Sequence, residues 1–117
     1  MVKKIMLSVV LGVTAINARK LLCIRHAPYV QAGYLASIKQ LVDNFNAHEK
    51  HAYKILVMGH RLPDESVDLA RRRAIEAGNL LLACGVQKDA IEIKSSADDE
   101  GNFVDLSIMA DFFFTTH

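Results

Sequence analysis

The chain has 117 residues, 51% of them hydrophobic, and its 14 lysines and arginines nearly balance 13 aspartates and glutamates. That length suits one domain around a single core, and the apolar content excludes a disordered tail. A net charge of +1 excludes a general polyanion binder, so nucleic acid is not an expected partner.

The first residues have the layout of a secretory signal peptide: Lys3 and Lys4, an apolar run from Ile5 to about Ala15, then small residues before Arg19 and Lys20. Ile5 to Ala18 would span only about 21 Å as a helix, against a hydrocarbon core of about 30 Å, so no spanning segment is expected. Residues 1–18 are read as the leader, with cleavage after Ala15 or Ala18, and 19–117 as the domain. A buried strand over "KKIMLSVVLGV" is the alternative. Leu22 before Cys23 is too bulky for lipid attachment. Cys23 and Cys84 both lie among apolar residues and are read as buried free thiols.

"KLLCIRH" reads as a strand ending near His26, where Ala27-Pro28 breaks it. Between Gln31 and Asn46, Leu35, Ile38, Leu41, Val42 and Phe45 recur at helical spacing. "YKILVMG" is a continuous apolar run, as expected of a strand buried on both faces. Asp64 or Ser66 caps a second helix whose inner side carries Val67, Ala70, Ala74, Ala77 and Leu81, and Gly85 supplies its terminator. "AIEIKS" is a third strand, "SADDEGN" a turn, and "FVDLSIMADFFF" a fourth strand. Three consecutive phenylalanines, Phe112 to Phe114, cannot all face one core from a strand, which suggests an edge or subunit contact. The predicted order is β-α-β-α-β-β.

From "ILVMGH" through "LARRRAIEAGNLLLACGVQKDAIEIKS" the chain resembles the OmpA-like C-terminal domain family, the cell-wall-binding module of OmpA, Pal and MotB proteins. The resemblance rests on Gly59-His60, on Leu69-Ala70-Arg71-Arg72-Arg73-Ala74, and on Leu81, Gly85, Val86 and Ile91. It implies an α/β (α+β) sandwich with two helices packed on a four-stranded mixed sheet. It also implies a non-catalytic envelope or periplasmic protein that grips the diaminopimelate of a peptidoglycan stem, with an arginine on the carboxylate and an aspartate on the ammonium.

Carried over residue by residue, Arg73 is the carboxylate anchor, with Arg72, His60, Asp64 and Ser66 as further candidate ligand contacts. Leu62 stands where the aspartate belongs, and Arg61 where the family has threonine. The loop leading to Leu69 is about four residues short. Asp64 or Glu65 is left as a substitute anion. Two roles therefore stay open: attachment to peptidoglycan through Arg73, or a structural subunit of an envelope secretion or motility assembly that has lost its wall ligand. On residues alone, the three arginines read as a solvated helix face, where Asp68 and Glu76 can pair with them.

"LLCIRHAP" and "ILVMGH" also resemble the two histidine motifs of histidine phosphatases, with His26 as the phosphoryl acceptor. Only about 34 residues separate His26 from His60, and no arginine lies between Arg25 and Arg61, so the spacing speaks against that fold and a histidine-phosphatase-like enzyme is left as the lesser alternative. His48 and His51 lack further metal ligands, and neither a phosphate loop nor a Cys/His metal pattern is present. No catalytic residue, metal or cofactor is called for.

Overall fold

The computed structural model describes residues 16–48 and 52–110. The chain runs β1 (Ile16–Leu22), α1 (Leu35–Asn46), β2 (Tyr53–Gly59), α2 (Val67–Ala83), β3 (Ile91–Ser95) and β4 (Phe103–Ala110), with short 3-10 turns at Ala32–Tyr34 and Lys88–Ala90. The sheet order is β1-β4-β2-β3. β4 is antiparallel to both neighbours, pairing Leu21 with Val104 and Ile55 with Ile108, while β2 and β3 are parallel, pairing Ile55 with Ile91. This is the predicted β-α-β-α-β-β order and the predicted α+β class.

Both helices lie on one face of the sheet. Ile38, Leu41, Val42 and Phe45 of α1 and Ala74, Ala77 and Leu81 of α2 meet Leu21, Ile55, Val57, Val104, Leu106 and Ile108 of the strands. Each large aliphatic side chain so buried contributes about 1.5–3 kcal/mol. Among the described residues the second face has no helix, and this corrects one expectation. In β2 only Ile55, Val57 and Gly59 are buried; Leu56 and Met58, which point the other way, are half-buried. A continuous apolar run therefore marks a strand at the sheet's centre here, not one covered on both sides.

Other boundaries shift for local reasons. β1 starts at Ile16 and ends at Leu22, because the following arm folds back on itself: Cys23 bridges Val30, and Ile24 N–H donates to Tyr29 O at 2.8 Å. His26 sits at the turn of that arm with φ of 61°. Val67, expected on the inner side of α2, is 76% exposed, whereas Arg73 and Gly78 are buried there. Ser66 is the N-cap, its side chain accepting from Asp68 N–H. At the other end Gly85 takes φ of 94°, and Val86 N–H donates back to Leu81 O, the bond that closes a helix through a left-handed residue. The leader read over residues 1–18 lies outside the described residues as far as Ala15, as do Phe112 to Phe114.

The small inner face of α2 lets the helix backbone lie directly on the end of β2. A Cβ placed on Gly59 would stand 1.8 Å from the Ala70 carbonyl oxygen and 3.0 Å from the Ala74 nitrogen. Neither backbone atom can give way without moving the helix. Gly59→Ala should therefore destabilise the domain by about 3 kcal/mol or more, read as a lowered denaturant midpoint. Gly33→Ala, with nothing within 4 Å of the new methyl group, should leave it nearly unchanged.

Candidate functional site: an arginine held in a carboxylate cradle

Close contact between α2 and β2 places Arg73, on the helix's inner side, among three loops that converge at the ends of the strands. The arm after β1 turns tightly, Ala27 N–H donating to Ile24 O at 3.1 Å, and presents the carbonyls of Ile24 and Ala27. β2 ends in His60, which presents another. The short loop before α2 closes through Glu65 N–H to Leu62 O at 3.0 Å, and brings the Glu65 side chain inward one residue before the cap.

The Arg73 side chain is fully buried. Nε donates to Ala27 O at 3.0 Å, Nη1 to His60 O at 3.1 Å and to Glu65 Oε1 at 2.6 Å, and Nη2 to Ile24 O at 3.2 Å and to Glu65 Oε2 at 2.7 Å. A guanidinium has five N–H groups, and here each has an acceptor. Glu65 is equally enclosed. Beyond the arginine it accepts from Leu62 N–H at Oε1 and from His26 N–H at Oε2, both at 2.7 Å. The result is a cradle of one forked cation and two main-chain N–H groups around one carboxylate.

These contacts set the ionisation. Hydrogen bonding from Arg73 outweighs the cost of burial and, with the Leu62 and His26 N–H groups, holds the Glu65 carboxyl down at about 2, from an ordinary 4.5. Nearby Cys23 is pushed up to about 11, chiefly by burial. It is an inert thiol, not a nucleophile.

The expected ligand contacts separate when placed in the fold. Arg73 is at the centre, but the face that the resemblance assigns to a ligand carboxylate is filled by Glu65, and no donor remains for another anion. Arg72 is exposed to solvent on α2. Asp64 faces outward and pairs with Arg25 at 2.6 Å. Ser66 caps the helix. His60 gives the cradle only its carbonyl, while its buried imidazole donates from Nε2 to Asp105 at 2.9 Å and stacks on Phe103 at 4.1 Å between centroids. Glu65, which the sequence offers only as a stand-in for the missing aspartate, holds the arginine itself. Its eight-residue offset from Arg73 crosses a helix start, so no helical spacing rule flags the pair.

His26 and His60 share no partner: the His26 ring is exposed, 3.9 Å from Asp64, and the His60 ring is buried against Asp105. Among the described residues no group of three or more histidine, cysteine or acidic side chains is placed to hold a metal ion. No helix among them is long and apolar enough to cross a membrane.

No family model matches the sequence, and no curated protein matches it. Solved structures do match its fold. The periplasmic domain of Helicobacter pylori MotB superposes with a TM-score of 0.66 at 17% identity, covering 80% of this chain and 76% of that one. The peptidoglycan-associated lipoprotein of Burkholderia pseudomallei gives 0.66 at 20% identity, covering 77% and 89%. The OmpA-like domain of FopA1 from Francisella tularensis gives 0.66 at 13% identity, covering 80% and 71%. The fold is thus the OmpA-like fold that the sequence resemblance implies, at identities that speak for the fold alone.

The Glu65 carboxyl couples stability to acid. Its folded value lies below its unfolded one, so the stabilisation is complete above about pH 4.5 and is lost as pH falls towards about 2. The size is on the order of 3 kcal/mol. Glu65→Gln should lower stability at neutral pH and flatten its fall between pH 4.5 and 2, as measured by denaturant titrations across that window.

Proposed function

We propose that the protein is a non-catalytic domain of the bacterial cell envelope, working in the periplasm as a structural building block whose arginine clamp is closed from within. The observation that carries this reading is the two-pronged Glu65–Arg73 pair. A diaminopimelate carboxylate would have to displace Glu65 from Arg73 and from two main-chain N–H groups, then leave that glutamate buried or drive it into solvent. Charge-assisted hydrogen bonds are each worth about 1.5–3 kcal/mol, so the resident carboxylate holds a large advantage over a free one. On the ammonium side, Leu62 offers an apolar side chain where an anion is needed. The fold that this chain shares with the MotB periplasmic domain and the peptidoglycan-associated lipoprotein supports the envelope setting. Protein partners in an envelope assembly, rather than peptidoglycan, then supply its binding surface.

Cosedimentation with purified sacculi tests the reading. The native chain should remain in the supernatant, and Arg73→Lys should change its melting temperature but not its partition. Pelleting of the native chain, reversed by a diaminopimelate-containing muropeptide and weakened by Arg73→Lys, would show that Glu65 yields to a ligand and would restore wall attachment as the function.

We also propose that the leader is removed after Ala15. Cleavage after Ala18 would take away Ile16–Ala18, the start of β1, including the Ile16–Ile108 pair. Mass spectrometry of protein recovered from a periplasmic fraction should give Ile16 as the first residue; Met1 retained in a cytoplasmic fraction would overturn the export reading.

A further inference from the structure

Among the described residues β3 lies at the edge of the sheet with one side unused. Its register sets Ile93 beside Val57 and Ser95 beside Gly59, and Ser96 N–H donates to Gly59 O at 2.9 Å. Successive residues of a strand direct their main-chain groups to opposite sides. Glu92, Lys94 and Ser96 therefore bond towards β2, and Ile91, Ile93 and Ser95 face away from the sheet. Ile91 N–H is taken by Lys88 O. Both groups of Ile93, the N–H of Ser95 and the C=O of Ile91 remain directed outward along the edge.

On the helix side of this edge runs an apolar groove of about 200 Å³ between α2 and β3, lined in part by Ile75, Leu82, Ile91 and Ile93 over Gly78. Ile75, Leu82 and Ile93 are 37%, 40% and 37% exposed. A Cβ on Gly78 would stand 2.8 Å from Ile93 Cδ1, so the glycine keeps the floor open. Across the strand, on the helix-free face, Glu92 and Lys94 flank Ile93 with opposite charges.

We propose that this edge is an interface between two copies of the chain, β3 meeting β3 in antiparallel fashion about a two-fold axis through Ile93. The charge pattern selects that occupant. With Ile93 opposite its own counterpart, Glu92 of each copy faces Lys94 of the other, so one short sequence is complementary to itself. The main chain fits the same axis: the Ile93 residues exchange both of their bonds, and Ser95 N–H of each copy reaches Ile91 O of the other. The helices fit as well. α2 packs over both β2 and β3, so the axis that sets neighbouring strands about 4.8 Å apart sets the helices about 10 Å apart. That is the spacing of directly packed helices, and it brings Ile75 and Leu82 of the two copies over the paired Ile93 side chains.

Sedimentation velocity of the full chain under reducing conditions, which silence the half-buried Cys84, tests the interface. The native protein should dimerise. Lys94→Glu and Glu92→Lys each place like charges opposite one another and should weaken the dimer by roughly tenfold or more, with melting temperatures of the dilute monomers unchanged. Mixing the two variants restores both opposite-charge pairs and should recover a dimer, as should the double reversal within one chain. A native chain that stays monomeric up to millimolar concentration overturns the proposal, as does a mixture no more associated than its components.

Discussion

A single buried ion pair organises one end of this domain. Arg73 on α2 and Glu65 before it tie together the arm after β1, the end of β2 and the loop into α2. Removing one member would leave the other charged, enclosed and unpaired, a situation that costs about 3–5 kcal/mol in comparable sites. The pair is therefore less a source of net stability than a constraint: once the arginine is inside, each loop must supply its acceptor. The left-handed His26 is part of that arrangement, since it turns the arm so that His26 N–H meets Glu65 Oε2 while the Ile24 and Ala27 carbonyls meet the guanidinium.

The same geometry separates fold from function. A scaffold that keeps the arginine and lacks the opposing aspartate has two ways to satisfy a buried guanidinium, by a ligand that comes and goes or by a side chain of its own. The short loop into α2 favours the second. Glu65 sits one residue before the N-cap Ser66, and so close to α2 its carboxylate reaches Arg73 with little slack, whereas a longer loop would let the anchor and its counter-ion drift apart. On the function proposed above, loss of wall binding and gain of a rigid end are one event, and the surfaces left for recognition are those away from the arginine.

Much of the architecture was legible in the residues. The helical recurrence of Ile38, Leu41, Val42 and Phe45, the Gly85 terminator and the alternation in "AIEIKS" each reflect a local physical requirement, and local requirements survive into the fold. The readings that failed depended on what covers a surface. "YKILVMG" is apolar enough for burial on both faces, yet nothing in those seven residues states that both helices fall on one side. Val67 has the right residue type for the inner side of α2 and lies too close to the cap to reach it. The setting of Arg73 in Leu69 to Ala74 marks it in the sequence, but nothing marks its partner, because a contact between a loop glutamate and a helix arginine depends on the path of the chain between them.

The position of β4 carries a further consequence. Among the described residues it is the last strand in sequence and one of the two inner strands in space, pairing with β1 on one side and β2 on the other. Until it arrives, β1 has no neighbour and the β2–β3 pair has no partner beyond itself, so the sheet cannot assemble progressively from its start. Contacts of this kind span most of the chain, and the loop-closure entropy they cost must be met before any of them is formed. A chain leaving the ribosome would thus complete its sheet only after Phe103–Ala110 had emerged, with the order of its strands acting as a timer on folding.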